Sequence, residues 1–174
     1  MTTSNLFLIG DVVGFSPHIG RLVSMMNYAR HTTLEAVKGL TVEQLDHLAD
    51  KQSNSIGALL FHIGAVEVGY QVHTFFDRRP DADEMREWGS GFQLGGGVHR
   101  EAQGHELEYY LERLDRVRVT TLDELTRRDD NWLDERTSFG SSQQVNNYFK
   151  WFHVIEEELN HRGQIRWLRK RLAP

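Results

Sequence analysis

Near the C-terminus, the run WFHVIEEELNHRGQIRWLRKRL sets His153, Glu157 and His161 at four-residue steps. At about 100° per residue, a helix gathers these three into a sector of roughly 80°, together with Val154, Gln164, Ile165 and Leu168. Apart from the three, that sector is mainly apolar. An ionised carboxylate facing a core is costly unless a positive charge offsets it, and an imidazole without partners is costly as well. A bound divalent cation removes both costs, because His and Glu one helical turn apart bring two ligand heads together. The spacing leaves Glu158, three residues before His161, as an alternative to Glu157. A solvated acidic face over Glu156, Glu157 and Glu158 is the competing reading.

A third ligand has to come from another element. His62, within LLFHIGAVEVGY, lies at the edge of a helical face built from Leu59, Ile63, Val66 and Tyr70. Glu67 is about 140° from that face and His73 is three turns further along, so both are weaker candidates. His18, His31, His47, His99 and His105 read as surface or capping residues. Three nitrogen and oxygen ligands leave coordination positions open, as expected of a catalytic rather than a structural site.

Positioning these groups falls to four segments with helical periodicity, separated by clusters of Gly, Pro, Asp, Asn and Ser. The first runs from about His18, after Ser16-Pro17, to Lys38, with Leu22, Met25, Met26, Ala29, Thr33 and Val37 facing inward and Gly39 ending it. A short turn follows in TVEQLDHLAD, where Thr41 and Gln44 have capping-box spacing. The second helix starts near Ser53, Asn54 or Ser55 and reaches about Asp77. It is apolar around most of its circumference, which predicts burial. Residues 78–103 contain GSGFQLGGGVHR without the strand-then-helix context of a phosphate loop, and read as a loop that forms a lid. The third helix runs from about Gly104 to Arg128. Its inward face carries Leu107, Tyr110, Leu111, Leu114, Val117, Thr121, Leu122 and Leu125. A polar crossing from Asp129 to Gln144 follows, with Trp132, Leu133 and Phe139 as packing anchors. The fourth helix extends from about Val145 to Leu172, with Arg166, Arg169, Lys170 and Arg171 at its negative end. The expected fold is all-α: one antiparallel four-helix-bundle domain over residues 1–174, with short connecting helices.

Composition narrows the function classes. The 174 residues are enough for one core, and 39% hydrophobic with 26% charged residues is the balance of a globular chain. Net charge is −5, from 25 acids and 20 bases, and no long basic run is present to neutralise phosphates, so nucleic acid is not expected as a partner. No apolar run approaches the roughly 20 residues of a membrane span, and the N-terminus lacks a basic leader, which predicts a cytoplasmic location without a membrane partner. The absence of cysteine excludes disulfides, thiolate nucleophiles on the protein and Cys-based metal sites, so any metal must be held by His and carboxylate.

The stretch NHRGQIRWLRKRL, with His153 upstream, resembles the C-terminal helix motif of the DinB/YfiT-like superfamily, and LLFHIGAVE resembles its second-helix motif. LTVEQLDHLAD and NSIGALLFH are similar to that family as well, so the resemblance covers most of the chain apart from residues 78–103. It implies up-down-down-up connectivity, a homodimer, and a divalent metal, zinc or nickel, bound by three side chains inside the bundle. Carried over, the second-helix ligand falls on His62 and the last on His161. The middle ligand falls on Glu157, where many relatives have His. That resolves the tie with Glu158, and two His with one Glu is a competent zinc set. His153 and Gln164 then become residues that support the ligands.

The resemblance implies a thiol-cofactor-dependent S-transferase acting on a small-molecule substrate in stress or detoxification. An open metal position would ionise a low-molecular-weight thiol near neutral pH and present it to an electrophile. The alternatives are a metal-dependent hydrolase, with Glu158 or Glu67 as base, and a non-catalytic stress protein that binds a metal or small ligand.

Overall fold

The computed structural model describes residues 6–139 and 143–172. In chain order it contains α1 (Pro17–Val37), α2 (Val42–Asp46), α3 (Ile56–Thr74) and α4 (Ala82–Trp88). A 3-10 turn over Gly89–Gly91 leads to α5 (Gly96–Glu101), α6 (Leu107–Thr126) and α7 (Asp130–Asp134). Strands β1 (Arg136–Phe139) and β2 (Gln143–Asn146) precede α8 (Asn147–Arg169). The long helices α1, α3, α6 and α8 are the four read from periodicity.

Side-chain pairings give their directions. Gly57 lies against Tyr110, Gly64 beside Leu114 and Glu67 against Arg118, so α3 and α6 run parallel. Arg30 meets Glu158 and Arg169 reaches the Ala36 carbonyl, so α1 and α8 are parallel too. Thr74 meets Trp151 while His62 meets His161, which makes α3 and α8 antiparallel. Arg118 reaches the Met26 carbonyl and Arg30 that of Leu114, so α1 and α6 are also antiparallel. The bundle is up-down-down-up.

Local chemistry explains most of the boundaries. Thr41 and Gln44 form the capping box of α2, and Ser55 caps α3 by accepting from the Ala58 N–H. Gly39, at φ +74°, takes the left-handed conformation that ends α1. Ser16 does not cap α1 with its own side chain. The Asp130 carboxylate of α7 does so instead, accepting from the Ser16 hydroxyl at 2.6 Å and from the N–H groups of His18 and Ile19. This tertiary cap ties α7 to the start of α1.

Two expectations need correction. The all-α four-helix bundle stands as expected, but the polar crossing ahead of its last helix holds a short hairpin, in which β1 and β2 pair antiparallel with Arg136 opposite Asn146 and Thr137 opposite Val145. Pairing holds Val145 and Asn146 in the extended state, and α8 begins only at Asn147, capped by Asn146. Leu133 is buried and Trp132 stacks on Phe75 as expected, whereas the Phe139 side chain lies outside the described part. The lid expected over residues 78–103 is instead built of α4, the 3-10 turn and α5, with Trp88 packed on Phe61 and Gly64 of α3. Trp88, Val98 and Ala102 of this segment are buried in the core while Met85 is exposed, so the segment is anchored to α3 rather than free as a lid needs.

The core has two apolar halves. One is centred on Leu59, Ile63, Leu114 and Ile165, the other on Leu22, Met26, Leu125 and Trp151. On each long helix, polar residues mark the level between them: Arg30 and Thr33 on α1, Glu67 on α3, Arg118 and Thr121 on α6, and Glu158 and His161 on α8. Arg30 donates to Glu158 at 2.8 Å and to Glu67 at 3.0 Å. Arg118 grips both Glu67 oxygens, at 2.8 and 3.0 Å, and Glu158 at 3.2 Å. Thr121 adds a bond to Glu67 at 2.7 Å. Two guanidinium groups against two carboxylates make this buried belt electrically neutral.

Lys150, in the first turn of α8, has no such balance. It is fully buried and its Nζ has no hydrogen-bond partner among the described residues. Burial lowers its pKa, with Asp77 opposing the shift. Lys150→Met, which keeps the stem and removes the ammonium, is predicted to raise stability by about 1–2 kcal/mol in urea unfolding. A variant no more stable than its parent contradicts this.

Candidate metal centre

α3 and α8 pack antiparallel, and at the level of the belt they bring His62, Glu157 and His161 together. One ligand atom from each lies within 4.8 Å of the others. Glu157 Oε2 is 3.0 Å from His161 Nε2 and 3.8 Å from His62 Nε2. Ligands about 2.0–2.1 Å from a tetrahedral ion are spaced by about 3.3 Å, so these separations bracket the value a shared cation requires. His62 and His161 are 8% and 6% exposed and their rings meet edge to face at 4.9 Å, whereas the Glu157 side chain keeps 25% of its surface. The site is thus buried on the imidazole side and open on the carboxylate side.

Each of the three side chains is oriented by a neighbour. His62 Nδ1–H donates to the Gly91 carbonyl at 2.6 Å, which leaves Nε2 with its lone pair toward Glu157. Burial lowers the His62 pKa, the Gly91 bond opposes that shift and His161 adds to it, so the imidazole is held in the neutral form a metal needs. Gln164 Oε1 lies 3.5 Å from His161 Nδ1, one turn further along α8. His153 bonds Glu156 through Nδ1 at 2.8 Å and places Nε2 3.4 Å from Glu157 Oε1, on the far side of the carboxylate from the other two imidazoles. Tyr70 packs edge-on against His153. Burial and the Glu157 charge push its phenol up to about 12, so it stays protonated.

The remaining candidates are placed elsewhere. Glu67 and Glu158 belong to the belt. Burial would raise the Glu67 pKa, but Arg118 and Arg30 overcome it and hold the carboxyl at about 2. Among the described residues, neither carboxylate bonds to the three clustered side chains, and both are occupied by guanidinium groups. His18, His47 and His73 are exposed and His31 and His105 half-buried, while the His99 side chain lies outside the described part. The belt therefore uses up its own charges, and Glu157 is left as a carboxylate between imidazoles.

The Gly91 carbonyl is a part of the site that side-chain spacing does not reveal. Its signal is the residue itself: a Cβ on Gly91 would sit 2.7 Å from Phe61 Cδ1 and 2.8 Å from Ala65 Cβ. Only glycine lets the turn approach α3 closely enough to meet His62. Gly91→Ala is predicted to push the turn away and lower metal affinity by about 10–100-fold while the helices persist. Competition with a chromophoric chelator measures it, and affinity unchanged within twofold contradicts it.

Among the described residues, no helix is long and apolar enough to cross a membrane. No curated protein matches the chain. A solved structure titled as the conserved protein of locus from Enterococcus faecalis shares the fold, with a TM-score of 0.63 at 14% identity, covering 86% of this chain and 93% of that one. The family model described as Mycothiol-S-transferase matches residues 21–174, taking in all four long helices and the His62, Glu157 and His161 cluster. The chain thus belongs to the mycothiol-S-transferase family, within the DinB/YfiT-like superfamily that its second- and fourth-helix motifs resemble.

Proposed function

We propose that the protein transfers the sulfur of a mycothiol-type low-molecular-weight thiol to a small electrophile, using a zinc or nickel ion held by His62, Glu157 and His161. The carrying observation is that these three side chains converge beside a belt whose own charges already cancel. A dication there would take the Glu157 charge and both imidazole lone pairs, and membership of a transferase family agrees with that use.

When bound, such an ion supplies the Lewis acidity that brings a thiol's pKa toward neutrality. The chain does the rest. His62 is fixed by the Gly91 carbonyl, and Gln164 and His153 flank His161 and Glu157, so the donors are arranged before anything binds. Among the described residues, the belt arginines occupy Glu67 and Glu158, the two carboxylates considered as bases, so the thiol proton passes to solvent. Sulfur then bonds to the electrophilic carbon, which expels its leaving group with the displaced electron pair. The same occupation of both carboxylates disfavours a metal-dependent hydrolase.

The proposal includes a cytoplasmic homodimer with no nucleic-acid or membrane partner. Its direct test is turnover of a fluorogenic alkyl halide by protein loaded with zinc or nickel. The expected result requires both metal and mycothiol, and metal-dependent turnover without any thiol would contradict it. Sedimentation velocity checks the dimer.

A further inference from the structure

A groove of about 500 Å³ opens between the segment ahead of α3 and the C-terminal half of α8. It adjoins the metal centre through Gln164, which lines it and lies 3.5 Å from His161 Nδ1. From His161 to Trp167 the helix rises about 9 Å, the length of a short linker and a sugar ring.

The lining has a definite chemistry. Gln52, Ser53, Asn54, Asn160 and Gln164 supply amides and a hydroxyl, Trp167 supplies an indole, and no lining residue carries a charge. The amides of Asn54 and Asn160 have no hydrogen-bond partner among the described residues, so their donors and acceptors are available to a ligand. Trp167 is 49% exposed and Arg171 stacks over its ring at 3.6 Å, which fixes the plane of the indole. Neutral groups that both donate and accept match hydroxyls, which do the same, and an aromatic face accepts the C–H side of a sugar ring. A ligand bearing an ammonium would find no ionic partner in this lining, and for a carboxylate the cation beside it is the Arg171 guanidinium already spread over the Trp167 ring.

We propose that this groove binds the uncharged, polyhydroxylated body of the thiol cosubstrate, with Asn54, Asn160 and Gln164 bonding hydroxyls and Trp167 supporting a sugar ring. This rests on the thiol-transfer reading above and assigns selection among thiols to the groove. A polyol thiol gains bonds there that a charged peptide thiol cannot make.

The test is calorimetric titration of the metal-loaded protein with S-methylmycothiol, whose capped sulfur cannot ionise, alongside N-acetylcysteine and S-methylglutathione. Asn160→Ala and Trp167→Ala are each expected to weaken S-methylmycothiol at least tenfold and to leave N-acetylcysteine unchanged, with the same metal content and circular dichroism as the parent. Trp167→Phe should recover part of the loss. In the parent, S-methylglutathione should bind at least tenfold more weakly than S-methylmycothiol. Variants within twofold of the parent, or a parent that does not bind S-methylmycothiol at millimolar concentration, overturn the groove assignment. If S-methylmycothiol binds as expected but no thiol transfer occurs, the catalytic reading fails and the groove stands. If mycothiol turns over and the variants match the parent, the groove assignment fails and catalysis stands.

Discussion

Replacing His161 with Ala should lower metal affinity about a thousandfold and abolish thiol transfer, while the helical content stays near that of the parent. Biological zinc sites gain about 10–16 kcal/mol from their whole ligand set, so one ligand is worth about 3–4 kcal/mol, or two to three decades of affinity. Of the three proposed ligands His161 is the most buried: its Nε2 is 3.0 Å from Glu157, and Gln164, which lies 3.5 Å from the other ring nitrogen, has only an amide oxygen to offer in its place, a poor donor for zinc. Because the cluster lies on α3 and α8, outside the ionic belt, the fold does not depend on it. Equilibrium dialysis with elemental analysis reads the affinity and circular dichroism reads the fold. A variant that keeps metal within threefold of the parent contradicts the assignment of His161.

Arg118→Leu should destabilise the protein by about 3–5 kcal/mol, the penalty for leaving a buried charge without its partner. The substitution removes two bonds to Glu67, one to Glu158 and one to the Met26 carbonyl, and no water can compensate at residues 0% and 1% exposed. Arg30 remains, but it cannot balance two carboxylates. The acid limb of the stability profile should move with it. With its folded pKa held at about 2 against an ordinary 4.5, Glu67 contributes stability that is fully present above pH 4.5 and is lost as pH falls toward 2. In Arg118→Leu the carboxyl protonates at higher pH, so acid unfolding should begin earlier. Urea and pH titrations followed by circular dichroism check both effects, and a loss below 1 kcal/mol contradicts a tight belt. The double variant Arg118→Leu with Glu67→Leu should recover part of the loss, because it removes one positive and one negative charge together.

Much of the scaffold is legible because helix periodicity reports burial directly. Leu22, Met26, Ala29, Thr33 and Val37 face the core as their spacing predicts, and α3 is buried around most of its circumference. The belt was also encoded, in a form easily mistaken for surface charge. Arg30 falls between Met26 and Thr33 on the inward stripe of α1, and Arg118 between Leu114 and Thr121 on that of α6. A basic residue that keeps step with an apolar stripe requires a buried acid opposite it, and Glu67 and Glu158 supply two. Glu157 and Glu158 are adjacent but about 100° apart around α8, which sends one carboxylate to the α3 seam and the other toward α1 and α6. Periodicity could not separate them, and the family resemblance did.

Other features leave no such trace. The hairpin is four residues to a strand, too short for alternation to stand out, and it takes residues that local pattern assigns to the start of α8. The cap of α1 comes from Asp130, more than a hundred residues away in sequence, so no local motif announces it. The Gly91 carbonyl that orients His62 is a backbone group, visible only once the turn is seen against Phe61 and Ala65.

X-ray absorption spectroscopy of the zinc-loaded protein, without thiol, tests the central claim most directly. The account predicts a first shell of two imidazole nitrogens and one carboxylate oxygen at about 2.0–2.2 Å, completed by solvent, with one imidazole signature lost in His62→Ala and another in His161→Ala. A first shell without imidazole scattering, or one unchanged in both variants, would place the metal elsewhere and contradict it.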